Sequence, residues 1–314
     1  MEGARTVDLE GGFSNESVRV DARVGRFVVR RYGRLHVTRA AIALENAVVA
    51  HAAEQLREVV APLRDPAGRT IVTPPGGGCA AVFPYVEGAA GRRDLATACA
   101  AARVLARFHR AMRDPSTGSG PAVAGATRSA RFAGTFARLR HRFSRFAADP
   151  RVARKLDWDA LVAATTAATA RIAPRAGGLP HVVVHGDPNP GNVVSVEPGE
   201  VHGLIDFDFT HETERVYDVG TLVDEFGRED DDGPLMLARV APLLAAYAQE
   251  APLGADEREL LPEAMLRRAA TLVWYVVTRH GERVPGDVGG APRYAARAAE
   301  IVALAGAIRD AARG

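Results

Sequence analysis

The segment from 181 to 208 constrains the fold more than any other part of the chain. It reads HVVVHGDPNPGNVVSVEPGEVHGLIDFD, in which short runs of branched apolar residues alternate with glycine and proline. Such runs are typical of buried strands, and Gly and Pro are typical of the turns between them. The pattern therefore predicts a strand, a tight loop, a second strand, a turn and a third strand, with Asp187, Asn192 and Asp206 at the breaks.

These three polar side chains suit the transfer of a phosphoryl group to an alcohol. Such a transfer needs a base near the acceptor hydroxyl and a divalent metal to offset the charge of a triphosphate. Asp187 lies in a loop after a strand and can accept a proton. Asn192 offers a neutral oxygen and Asp206 an anionic one, which are the hard donors that Mg²⁺ prefers. A lone His-Gly-Asp motif is weak evidence, but its ordered combination with Ile205-Asp206-Phe207 is specific.

Length and composition limit the classes of protein that the chain can belong to. Its 314 residues exceed an ordinary domain and predict two lobes. Hydrophobic residues make up 47%, charged residues 25%, and the net charge is +2, so nothing global favours nucleic acid or an anionic membrane as a partner. Two cysteines and the lack of a long apolar run predict a cytoplasmic protein.

Residues 1–86 have the alternating pattern of a small β-rich lobe. Strands are predicted at 7–9, 18–20, 27–30, 70–72 and 80–83. One helix is predicted from Thr38 to Val60, with Thr38 as its N-cap. Glu45 on this helix either pairs with Arg30 or is a solvated surface residue.

From residue 87 to residue 314 the apolar periodicity becomes helical. Asp94 is the predicted cap of a helix that runs to about Met112, and His109 on it is expected to be a structural histidine. Further helices are predicted at 132–146, 156–172, 234–251, 256–280 and 294–312. The fold class is therefore α+β, with a small β-rich N-terminal lobe of residues 1–86 and a larger, mainly helical lobe of residues 87–314.

The motifs resemble those of the aminoglycoside phosphotransferase and choline kinase superfamily over most of the chain. The resemblance rests on His185-Gly186-Asp187, on Asn192 and on Leu204 to Phe207. Members share a protein-kinase-like fold and bind ATP in the cleft between the lobes. By this resemblance Asp187 is the catalytic base, and Asn192 and Asp206 hold Mg²⁺. One departure is Pro188, where leucine or isoleucine is more usual.

The same resemblance assigns a nucleotide side to the N-terminal lobe. It implies a phosphate-covering loop at 13–15, a cation on the strand 28–30 and a hinge at 83–88, and GTP is not excluded as the donor. The cofactor-binding residues that it implies are Ser14, Asn15, Arg30, Glu45, Phe83 and Tyr85. Arg30 stands where lysine is more common, and because arginine is always charged it remains able to bind phosphate.

The acceptor is less constrained by the sequence. The acidic run 224–232 either attracts a cationic acceptor or is a solvated loop, and two aromatic side chains either wall the acceptor pocket or pack in the core. Asp208 is a second metal contact, an acceptor contact or a structural residue. The acceptor-side candidates are Asp208, Asp224, Glu225, Trp274 and Tyr275.

The expected activity is Mg²⁺- and ATP-dependent phosphorylation of a hydroxyl on a small molecule. The Ala- and Arg-rich composition is similar to that of high-GC actinobacterial proteins, among which such kinases modify antibiotics, so an aminoglycoside-like or nucleoside-like natural product is the favoured acceptor. Patterns at 203–207 and 216–218 are similar to type II homoserine kinases, so a homoserine- or choline-type kinase is the alternative. A non-catalytic ATP-binding regulatory module is the alternative of another class.

Overall fold

The computed structural model describes residues 5–9, 15–33, 38–112 and 132–314, with side chains of the last range described from residue 135. Ser14, which was predicted to cover the phosphates, lies outside the described residues. None of the helices in these ranges combines the length and the apolar character needed to cross a membrane.

The N-terminal part is an antiparallel sheet with one helix beside it. Its strands follow one another in sheet order as β1 (Arg5–Leu9), β2 (Asn15–Ala22), β3 (Gly25–Tyr32) and β4 (Cys79–Pro84). Helix α1 (Arg39–Ala53) begins after Thr38, whose side chain accepts a hydrogen bond from the backbone N–H of Ala41 at 3.1 Å. The predicted N-cap is confirmed, because it satisfies one of the free amides of the first turn.

Two predictions for this part are wrong. The helix predicted to reach Val60 ends at Ala53, because the chain turns there and the carbonyl of Glu58 accepts the backbone N–H of Leu204 at 2.7 Å. The strand predicted at 70–72 is reduced to one bridge between Val72 and Ala80. A turn at 74–77 follows directly and limits the pairing to that bridge.

The remainder of the chain is mainly helical. Its helices are α2 (Leu95–Ala111), α3 (Phe132–Ala148), α4 (Trp158–Ile172), α5 (Val216–Phe226), α6 (Val240–Ala248), α7 (Ala255–Glu259), α8 (Leu261–Arg283) and α9 (Ala291–Arg313). Asp94 caps α2 as predicted, with its carboxylate accepting the N–H of Thr97 at 2.9 Å. The helix predicted at 256–280 is two helices, because Pro262 lacks an amide proton and begins α8 anew.

The predicted strands of the central segment are confirmed. They are β6 (His181–Val184), β7 (Val193–Ser195) and β8 (Val201–Leu204). β7 pairs with β8 and with the short β5 (Ala89–Ala90), whereas β6 pairs with β9 (His211–Glu214). The loops after β6 and β8 are therefore held by two different small sheets.

Helices α5 and α8 approach each other closely in the core of the helical part. A Cβ atom added to Gly220 would lie 2.6 Å from the Cβ of Ala264 and 2.8 Å from the backbone nitrogen of Met265. Real carbon atoms do not approach that closely, so only glycine fits at this crossing.

We expect Gly220→Ala to lower the free energy of unfolding by about 1–3 kcal/mol, because the added methyl group must push two packed helices apart. The matched control is Gly306→Ala on α9, where an added Cβ meets nothing within 4 Å. That change should be neutral or stabilise by about 0.5–1 kcal/mol, since alanine is the better helix former. Urea unfolding of both variants measures the difference, and equal stabilities would contradict the close packing.

Candidate active site

The turn that carries Asp187 is held by a buried carboxylate from another element. Asp218, in the first turn of α5, accepts the backbone N–H of His185 at 2.7 Å and that of Gly186 at 2.9 Å. Nε2 of His109 lies 3.0 Å from the same carboxylate, and Nδ1 of His109 lies 2.7 Å from the hydroxyl of Tyr247. Burial acts to raise the pKa of Asp218, but these donors outweigh it and lower the pKa below its ordinary value.

Gly186 and His185 join this turn to the segment that follows β8. Gly186 has a φ of 87°, and a Cβ there would lie 2.1 Å from the carbonyl oxygen of Phe209. The His185 ring is buried between the two segments: Nδ1 accepts the N–H of Asp187 at 3.2 Å, and Nε2 lies 3.0 Å from the carbonyl oxygen of Ile205. Burial lowers the pKa of His185, so the neutral ring serves as a spacer between them.

Asp187 itself is oriented by three side chains. Oδ1 of its carboxylate accepts a hydrogen bond from Asn189 Nδ2 at 2.8 Å and another from Arg268. Its backbone carbonyl accepts a hydrogen bond from Asn192 Nδ2 at 2.9 Å, so the NH₂ group of the Asn192 side chain faces the Asp187 loop. The Asp187 side chain keeps 15% of its surface exposed, so it remains open to a ligand.

Arg30 connects the N-terminal sheet to the carboxylates that follow β8. Its Nη1 atom lies 3.1 Å from Asp208, 3.3 Å from Asp206 and 3.5 Å from Glu45. Asn15 also donates a hydrogen bond to Asp208. Asp206 has a φ of 65° and is the only non-glycine residue with a positive φ among the described residues. Backbone conformations of this kind are costly and concentrate at functional sites.

The cluster carries more negative charge than its arginine offsets. Burial and the Asp206 carboxylate raise the pKa of Asp208 to about 6, and burial and Asp208 raise the pKa of Glu45 to about 8. Asp206, Asp208 and the amide oxygen of Asn192 are all oxygen donors, which Mg²⁺ prefers, and added positive charge would relieve the repulsion. No group of three or more His, Cys, Asp or Glu side chains that could hold a metal ion by themselves occurs in the described ranges.

The two aromatic residues predicted for the nucleotide hinge have different surroundings. The Phe83 ring centroid lies 5.8 Å from the guanidinium of Arg30, so it adjoins the carboxylate cluster. Tyr85 lies instead between Arg19 and Arg26, at 5.4 and 5.6 Å from their guanidinium carbons. The structure therefore places Phe83, but not the Tyr85 ring, next to Arg30.

The acidic run predicted as a solvated or ligand-attracting loop is partly buried. Asp224 and Glu225 lie in the last turn of α5 and are 1% and 6% exposed. Asp224 pairs with Arg228 at 2.8 Å, and Glu225 pairs with Arg297 at 3.3 Å. The prediction of a solvated loop is wrong for these two residues, because Arg228 within the run and Arg297 on α9 pair with them inside the protein.

The two aromatic acceptor-side candidates, Trp274 and Tyr275, lie on α8. Tyr275 packs edge-on against Phe209 with centroids 6.2 Å apart, and the backbone of Phe209 touches Gly186. Tyr275 is thus linked to the Asp187 turn through one residue. The guanidinium of Arg142 covers the ring of Trp274 at 3.8 Å, so Trp274 is engaged with α3.

The structure adds two residues that the sequence pattern did not indicate. Asn189 and Arg268 both donate to Asp187, although Arg268 lies 81 positions away on α8. A usable signal was the pair Arg267-Arg268 inside an otherwise apolar stretch of helix, because buried arginines need partners.

Known proteins share this fold. A choline/ethanolamine kinase family protein from Mesorhizobium loti has a TM-score of 0.66 and 18% identity, covering 98% of this chain and 92% of that one. An aminoglycoside phosphotransferase from Alicyclobacillus acidocaldarius subsp. acidocaldarius DSM 446 has a TM-score of 0.64 and 18% identity, covering 97% and 92%. At these identities the similarity shows the fold, which is kinase-like.

Sequence similarity to curated proteins is local. A homoserine kinase from Polaromonas naphthalenivorans (strain CJ2) is 34% identical over 96 residues, which are 31% of this chain and 30% of that protein. The chain thus spans less than a third of the length of the curated relatives it matches. The model of the phosphotransferase enzyme family, in contrast, matches residues 6–253. Since that match covers most of the chain, the protein belongs to the phosphotransferase enzyme family.

Proposed function

We propose that the protein transfers the γ-phosphoryl group of ATP, with Mg²⁺, to a hydroxyl group of a small molecule. One observation carries the proposal: the His185 ring bonds to the backbone of Asp187 on one side and of Ile205 on the other. It thereby holds a candidate base and the carboxylate cluster at Asp206 and Asp208 on one rigid framework. Phosphoryl transfer needs such a base and such a cluster side by side.

In this proposal Asp187 is the general base. Its carboxylate accepts the proton of the acceptor hydroxyl as the hydroxyl oxygen forms a bond to the γ-phosphorus. The bond between that phosphorus and the bridging oxygen breaks, and ADP leaves with the electron pair. A carboxylate held by hydrogen bonds and still exposed is suited to this role.

Asn192 and Asp206, with Asp208 beside them, would hold Mg²⁺, which supplies positive charge to the phosphate oxygens when bound. Arg30 would bind phosphate oxygens, and Glu45 would hold its guanidinium in place. Ser14 and Asn15 would cover the phosphates. Phe83 and Tyr85 would form the hinge beside the purine ring of the nucleotide. The nucleotide lobe would then be residues 1–86, and the catalytic and acceptor lobe residues 87–314.

The acceptor that we propose is an aminoglycoside-like or nucleoside-like natural product, which the likeness in fold to an aminoglycoside phosphotransferase supports. A homoserine- or choline-type metabolite kinase is the second candidate, supported by the segment of 96 residues shared with a homoserine kinase. Incubation with ATP and kanamycin, a nucleoside antibiotic, L-homoserine or choline, followed by mass spectrometry of the products, distinguishes them. Tight ATP binding without any phosphorylated product would favour a non-catalytic module.

We expect Asp187→Asn to lower turnover by about 10²- to 10⁴-fold, because the amide is the same size but cannot accept the proton. ATP affinity, measured by calorimetry, should change little. The control is Asp310→Asn on α9, whose side chain is 76% exposed and whose turnover should equal that of the wild type. Turnover of Asp187→Asn within a few-fold of wild type would exclude it as the base.

We expect removal of Mg²⁺ by excess EDTA to abolish phosphate transfer and added Mg²⁺ to restore it. Asp206→Asn should raise the Mg²⁺ concentration that gives half-maximal turnover by about tenfold or more, because a neutral amide binds the ion less well than a carboxylate. Glu282→Gln, at a side chain that is 47% exposed at the end of α8, is the control. If Asp206→Asn needed no more Mg²⁺ than the wild type, Asp206 would not be a metal ligand.

A further inference from the structure

The two oxygens of the Asp187 carboxylate have different surroundings. Oδ1 accepts one hydrogen bond from Asn189 and one from Arg268. Oδ2 receives no hydrogen bond from any residue that the structure describes. A carboxylate with one oxygen held by two donors has a fixed plane, and its other oxygen then points in a defined direction.

Arg268 is an unusual donor at this position because it is buried. It projects from the middle of α8, and its side chain is 7% exposed. Burial of a guanidinium is costly unless anions meet it, and removal of a partner leaves a buried charge uncompensated. The contact with Asp187 therefore gives this buried guanidinium an anionic partner.

A second carboxylate and a second arginine stand behind Arg268. Glu225 on α5 lies 3.9 Å from Arg268 Nε and 3.3 Å from Arg297 on α9. Arg297 in turn lies 3.7 Å from Asp224, which pairs with Arg228 at 2.8 Å. Acidic and basic side chains thus alternate from Asp187 through α8 and α5 to α9, so Arg268 lies between two carboxyl groups, those of Asp187 and Glu225.

We propose that Arg268, together with Asn189, clamps Oδ1 of Asp187 so that Oδ2 is the oxygen that accepts the acceptor's proton. This inference rests on the proposed function. Arg268 is then a positioning residue, which acts through Asp187, and Glu225 sets the place of its guanidinium. Proton transfer requires the acceptor oxygen and the base to meet in a narrow range of distance and direction, and a displacement of about 1 Å can cost about 10²-fold in rate.

The experiment compares Arg268→Met, Asp187→Asn and the double variant in the full-length protein with Mg²⁺ and ATP. The acceptor is whichever of kanamycin, L-homoserine and choline gives the highest turnover. If ATP hydrolysis is faster than transfer to any of them, hydrolysis is measured instead, with water as the acceptor. We expect Arg268→Met to lower kcat by about 10- to 100-fold and to leave the KM for ATP nearly unchanged. Because both residues act through one carboxylate, the double variant should be no slower than Asp187→Asn.

Two further measurements separate positioning from a merely structural role. Guanidinium at a low, non-denaturing concentration should restore part of the activity of Arg268→Met, because the free cation can occupy the vacated space beside Asp187 and Glu225. Glu225→Gln, which keeps the arginine but removes the carboxyl group beside it, should lower kcat by less than Arg268→Met does. This milder change also tests the clamp if Arg268→Met does not fold.

The matched control is Arg267→Met, a neighbour on α8 that is equally buried and contacts Thr213 and Glu214 on β9. It should lower the melting temperature with no rescue of activity by guanidinium. The clamp would be overturned if Arg268→Met and Glu225→Gln both kept the kcat of the wild type. It would also be overturned if the double variant were slower than Asp187→Asn by the factor that Arg268→Met loses alone. Equal turnover in Asp187→Asn and wild type would instead overturn the proposed function.

Discussion

The carboxylate of Asp218 supports the whole site although it is fully buried. It accepts two consecutive backbone amides, those of His185 and Gly186, and it also bonds to His109 on α2. Two buried amides without this acceptor would each cost about 1–3 kcal/mol. The tight turn that presents Asp187 is therefore stable only while α5, α2 and the end of β6 remain packed together.

The two sides of Asp187 differ in their charge balance. Toward the N-terminal sheet, Arg30 faces three carboxylates, and the pKa values of Glu45 and Asp208 are raised. Toward α9, each buried carboxylate has its own arginine. Added positive charge is thus favoured on the first side.

Local patterns in the sequence predicted the strands and helix starts, whereas contacts between residues far apart in the chain could not be predicted. The apolar runs and Gly/Pro breaks of 181–208, and the capping residues Thr38 and Asp94, depend on neighbours in sequence, so the strands and helix starts followed from the pattern. The early end of α1 depends on Leu204, and the burial of Glu225 depends on Arg297, 72 positions later. No periodicity carries such information, and the role of Arg268 as a partner of Asp187 was missed for the same reason.

These distant contacts depend in turn on how closely two helices pack. Gly220 on α5 faces Ala264 on α8 without room for a methyl group. Glu225 lies little more than one helical turn beyond Gly220, and Arg268 lies about one turn beyond Ala264. The small residues at the crossing therefore set the distance between Glu225 and Arg268, and through Arg268 they act on the Asp187 carboxylate. A packing constraint in the core is in this way also a constraint on the geometry of the proposed base.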